Sequence, residues 1–128
     1  MIIIRLSEFR KGDQVVLSLY FFTGGLYIMA VKIFIKRRIK KAKADEAIAL
    51  MNKFRMDAMN QPGYISGETL VNHYDPQRVT VVSTWQSVDD WINWEQSDQR
   101  AATEEQLESL LLEPTRFEIY DLGILPKK

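Results

Sequence analysis

Residues 63–100 read GYISGETLVNHYDPQRVTVVSTWQSVDDWINWEQSDQR. Residues 64–71 and 79–86 are two strands, the second rich in β-branched residues. Between them, His73-Tyr74-Asp75-Pro76-Gln77 has turn chemistry. The short connection makes the pair an antiparallel hairpin. Ser87 then caps a helix over 88–95, with Asp89 and Asp90 favourable in its first turn.

The pattern extends in both directions. Residues 31–36 alternate as a strand, with Val31, Ile33 and Ile35 on one face and Lys32, Phe34 and Lys36 on the other. Residues 45–60 are helical by period, because Ala47, Leu50, Met51, Phe54 and Ala58 form one apolar stripe. Pro62-Gly63 ends that helix. Downstream, Ser97 or Asp98 restarts a helix that runs to about residue 111, and Pro114 stops it. Residues 115–122 are the last strand, with Phe117 and Ile119 set against Arg116, Glu118 and Tyr120. The order β-α-β-β-α-β predicts an α+β, ferredoxin-like domain with a four-stranded antiparallel sheet. Helices cover one face, and in so small a chain a second copy is the simplest cover for the other.

The chain has 128 residues, 46% hydrophobic and 27% charged, which suits one domain with a real core. Lys plus Arg number 17, as do Asp plus Glu, so the balance points to neither nucleic acid nor an acidic partner. Without cysteine there are no disulfides, thiolate metal sites or cysteine nucleophiles. The single histidine, His73, excludes a multi-histidine metal site within one chain. Residues 32–43 are strongly basic, and a solvated strand end and helix start is favoured there over an anion or membrane patch. No glycine-rich phosphate loop is present.

Residues 1–28 stand apart. Residues 15–31 carry no charge, contain Gly24-Gly25, and lead directly into the basic run. Inserted in a membrane, they would place the rest of the chain on the cytoplasmic side. An ordered extension is another reading. The favoured one is translated upstream sequence from a mis-set start codon, since the domain begins cleanly at Met29 and Thr23-Gly24-Gly25 fits a purine-rich ribosome-binding stretch. This divides the chain into an extension (1–28), a domain (29–123) and a tail (124–128), with a cytoplasmic location.

The Gly-aromatic opening at Gly63-Tyr64 and the close Thr84-Trp85-Gln86-Ser87, in this order of elements, resemble the antibiotic biosynthesis monooxygenase (ABM) family over about 30–123. The resemblance implies a dimeric α+β barrel, a homodimer, with a pocket between helices and sheet for a small aromatic molecule. Phe34, Met51, Phe54, Trp85, Trp91, Trp94, Arg100 and Tyr120 are the candidates to bind it. Cofactor-independent members oxidise anthrones or quinols with oxygen, without metal or flavin. Such chemistry needs a donor for a developing oxyanion and a proton acceptor. Trp85, Tyr64, Tyr120, Lys36 and Arg100 are candidate donors, and His73 is the candidate acceptor.

Haem-degrading members share the Trp-polar-Ser pattern and Ser97-Asp98 with Ala101-Ala102. Their asparagine, tryptophan and iron-ligating histidine would fall near Lys36, on Trp85 and on Thr103. Threonine is a poor iron ligand, so no cofactor is the leading expectation and a haem-binding or haem-degrading protein is the third and least favoured reading. The β-α-β-β-α-β order is shared with RNA-recognition modules, but their aromatic signature is missing from VTVVSTWQ. The leading expectation is an oxygenase of a quinol-like substrate. The alternative is a non-catalytic dimer that binds a small hydrophobic molecule or serves a stress role.

Overall fold

The computed structural model describes the backbone of residues 3–11, 14–23 and 26–123, and side chains over 29–123. The Gly24-Gly25 pair and the tail 124–128 lie outside the described residues. Strands β1 (Ile3–Lys11), β2 (Gln14–Thr23) and β3 (Leu26–Met29) pair antiparallel in that order. The described residues of the uncharged run therefore fall in β2, β3 and the start of the next strand. Among the described residues, no helix is long and apolar enough to cross a membrane.

A second sheet carries the ferredoxin-like fold. Its strands are β4 (Val31–Arg38), β5 (Tyr64–Val71), β6 (Arg78–Trp85) and β7 (Arg116–Asp121), in the order β5-β6-β4-β7 and antiparallel throughout. Helix α1 (Ala44–Ala58) joins β4 to β5, and α2 (Val88–Glu95) and α3 (Asp98–Glu108) join β6 to β7. The predicted α1 stripe is inward: Ala47, Met51 and Ala58 are buried, and Leu50 and Phe54 pack against the core. Ser87 and Ser97 cap α2 and α3, each hydroxyl accepting from a backbone N–H three residues on. Helix α3 ends earlier than its period suggests. The chain turns so that Leu111 can bridge to Ile39, with Lys40 N–H donating to the Leu110 carbonyl.

Two apolar clusters form the core beneath the helices. One gathers Val31, Ile33, Ile35 and the three tryptophans; the other gathers Ile39, Met51, Val79 and Leu107. Phe54 and Val81 pack against both. The period of two in β4 buries Val31, Ile33, Ile35 and Arg37, while Lys32, Phe34, Lys36 and Arg38 point to the other face.

On that face Lys36 pairs with Glu118, both well exposed. The hydrogen bond from Lys36 holds the Glu118 carboxyl below its usual range. A depressed carboxyl contributes stability above the ordinary carboxylate range and loses it as pH falls. Exposure and salt keep that contribution small. Lys36→Ala should return the Glu118 titration toward the usual range, as followed by carboxyl-carbon NMR.

The turn from α1 into β5 depends on Gly63. Its φ of 84° lies in the left-handed region, and a Cβ there would collide with the Asp90 carboxylate. That carboxylate accepts from Ser87 Oγ at 3.0 Å, so turn and helix cap are packed as one unit. Gly63→Ala should cost about 2–3 kcal/mol, combining left-handed strain with partial loss of the cap. The check is a lowered denaturant midpoint at unchanged slope.

Candidate functional site

The end of β6 brings the aromatic residues together. Trp85 is 1% exposed, and Tyr64 and Trp91 stand edge-on to it at 5.3 and 5.9 Å between centroids. The α2 cap orients that helix so that Trp91 and Trp94 are both buried against the sheet. Trp91 also lies 5.9 Å from Phe117 of β7. Tyr64 and the three tryptophans, with Ile35, Met51, Phe54 and Val81, line a cavity of about 50 Å³ between helices and sheet. The exposed residues Arg55, Glu68 and Thr69 mark its mouth. Tyr64, half-buried, links mouth and interior, its hydroxyl close over Gly67.

Two arginines project into the same cavity. Arg37, from β4, and Arg100, from α3, are 5% and 4% exposed. They share one carboxylate, Glu104, one helical turn beyond Arg100. Arg37 Nη2 donates to Glu104 Oε2 at 3.2 Å. Arg100 Nη2 approaches that oxygen at 3.5 Å without forming a hydrogen bond. Glu104 Oε1 accepts from Thr115 Oγ1 at 3.0 Å. Arg37 Nε and Arg100 Nη2 are buried without hydrogen-bond partners. The Arg100 guanidinium lies 5.3–5.6 Å from the ring centroids of Phe54, Trp91 and Phe117, and that of Arg37 lies 5.2 Å from Phe54. Burial lowers the pKa of both guanidiniums, and Glu104 opposes that shift.

The predicted site residues divide into two groups. Tyr64, Trp85, Trp91, Trp94, Met51, Phe54 and Arg100 line the cavity. Phe34, Lys36 and Tyr120 do not: they stand on the opposite face of the sheet, where Phe34 meets Tyr120 edge-on at 5.2 Å. Strand alternation is the reason, because Phe34 and Lys36 have the parity opposite to Ile35, and Tyr120 that opposite to Phe117. His73 also lies outside. It sits exposed in the β5–β6 turn beside Tyr74, at the end of the hairpin away from Trp85. At about 3.3 Å per residue along β6, that is roughly 20 Å away.

Arg37 and Glu104 did not stand out in the sequence. Their signals were a charge on the apolar parity of β4 and an acid four residues after Arg100. The indole of Trp85 is already engaged, donating to Ser83 Oγ at 3.1 Å. Thr103 is buried between α1 and α3 and accepts from Lys53 Nζ at 3.4 Å, so no imidazole faces the cavity from the position that would ligate haem iron. The residues present do not fit haem.

A comparison with curated proteins finds no match. Solved structures share the fold. A conserved protein from Methanosarcina mazei is 19% identical with a TM-score of 0.70, over 75% of this chain and 95% of that one. SnoaB, a cofactor-independent oxygenase from Streptomyces nogalater, is 14% identical with a TM-score of 0.67, over 77% and 99%. Protein SO0527 from Shewanella oneidensis is 22% identical with a TM-score of 0.65, over 73% and 90%. The sequence model for antibiotic biosynthesis monooxygenases matches residues 30–106, from the first residues of β4 into α3. This chain belongs to the antibiotic biosynthesis monooxygenase family.

Proposed function

We propose that the protein is a cofactor-independent oxygenase of a small, quinol-like aromatic. The observation that carries this reading is the aromatic cavity lined by Tyr64 and three tryptophans, with the Tyr64 hydroxyl beside Gly67 of its wall. Its volume of about 50 Å³ is below the roughly 150 Å³ of a cavity that takes up benzene, so even a single ring enters only as side chains at the open mouth give way, and a fused polycycle is disfavoured further. The similarity to SnoaB supports chemistry without a cofactor. In the proposed reaction a hydroquinone becomes a hydroxyquinone. One oxygen atom of O2 enters the ring, and the other leaves as water with two substrate hydrogens. The substrate supplies all four electrons.

In this reading Tyr64 hydrogen-bonds the reacting hydroxyl and passes its proton toward solvent at the mouth. The tryptophans hold the ring and exclude water. Trp85 contributes shape rather than a donor, since its N–H is directed at Ser83.

Oxygen uptake by the full chain with a hydroquinone panel and added chelator tests the proposal. Tyr64→Phe should lower turnover at least about a hundredfold with the fold retained. Trp85→Phe should retain turnover within about tenfold, because it keeps most of the ring contacts and removes no donor from the cavity. Unchanged turnover in Tyr64→Phe would overturn the role given to its hydroxyl. Binding without uptake would support the alternative, a small-molecule-binding protein, which the satisfied indole of Trp85 favours.

A homodimer is part of this proposal. The sheet face away from the helices carries Phe34, Leu70 and Tyr120, with Leu70 and Tyr120 49% and 51% exposed. A second copy on this face would bury them. Phe34→Asp should then convert a dimer to a monomer in sedimentation equilibrium. A wild-type monomer at micromolar concentration would refute it.

A further inference from the structure

The arginine pair carries more than a generic aromatic pocket requires. Arg37 and Arg100 bring two positive charges to the cavity wall, and Glu104 alone stands within ion-pair distance of both. Glu95 acts on Arg100 from beyond that distance. At the mouth, Arg55 donates to the Gly67 carbonyl and stands apart from the Arg37 and Arg100 pair. The interior is left with one surplus positive charge.

Burying a cation is costly unless it is paired. The aromatic faces around Arg100 offset part of that cost. They cannot accept the hydrogen bonds that Arg37 Nε and Arg100 Nη2 lack. Each guanidinium presents a planar fork of donors, which matches a carboxylate. The apolar walls accept a ring beside it.

We propose that the ligand of this cavity is a one-ring aromatic carboxylate, its carboxylate on Arg100 and Arg37 and its ring among Phe54, Trp85 and Trp91. This rests on the oxygenase reading only in sharing its site. The bound acid brings the missing negative charge and places its ring hydroxyls toward Tyr64.

The test is calorimetric titration of the full chain with 2,5-dihydroxybenzoate, its methyl ester and hydroquinone, run beside oxygen uptake with each. The ester keeps the ring and removes the charge. The acid should bind about 10- to 100-fold tighter than the ester, the range expected for hydrogen bonds to a charged group. In Arg100→Gln the difference should shrink to about threefold or less, with folding followed by circular dichroism. Equal affinity of acid and ester, or no binding of the acid, would overturn the proposal even if Arg100→Gln fails to fold. The two readings separate cleanly. Acid-selective binding without oxygen uptake keeps this inference and removes the oxygenase. Uptake with hydroquinone and no preference for the acid does the reverse.

Discussion

Glu104→Ala is expected to destabilise the fold by about 3–5 kcal/mol, the cost of removing one partner from a buried ion pair. Glu104 faces two arginines that are each about 95% buried, and it also accepts from Thr115. Its loss leaves two guanidiniums in an apolar wall with no carboxylate in ion-pair range. Neither can shed its proton readily, because a guanidinium stays charged even when burial lowers its pKa. In a domain of this size the melting temperature should fall by more than about 10 °C. A shift under about 3 °C would show that the arginines do not depend on Glu104. Adding 2,5-dihydroxybenzoate should recover part of the loss, since a ligand that binds only the folded state stabilises it.

Trp85→Ala should cost a similar amount, about 3–5 kcal/mol. Trp85 is among the largest fully buried side chains. Its ring touches Tyr64 and Trp91 and closes one wall of the cavity. Truncation removes the packing of all three rings, and the space left behind cannot collapse onto a hydrogen-bonded strand. It also leaves Ser83 Oγ without its indole donor. Trp85→Phe is the control. It should lose markedly less, because a six-membered ring refills most of the volume. Urea denaturation of both variants decides the matter, and equal losses would mean that the indole hydrogen bond, rather than volume, holds this corner.

The elements from β4 onward were legible in the sequence because each rests on local chemistry, whereas β1, β2 and β3 were not read there. Ser87 and Ser97 cap helices wherever those helices pack, and the stripe from Ala47 to Ala58 is a property of period alone. Strand parity was legible too, and it places Phe34 and Lys36 opposite Ile35. Grouping Phe34, Lys36 and Tyr120 with the tryptophans set that parity aside in favour of residue type. Strand ends were off by one or two residues, with β4 running on through Arg37 to Arg38, and α3 by more, because the Leu111–Ile39 bridge is a tertiary contact.

The charged centre was the part that sequence reading could not assemble. Arg37 looked like one of several cations in a basic run, and Glu104 like one of several acids on a helix. By itself the sequence determined the β-α-β-β-α-β order, the caps, the face each strand residue takes and the aromatic content near Trp85. Each depends on neighbours a few residues apart. The tertiary structure alone decided that Arg37, Arg100 and Glu104 meet under Phe54, and that His73 lies at the far end of the hairpin. Those residues are brought together or kept apart by how β4 pairs with β6 and where α3 docks, and no local propensity encodes that distance.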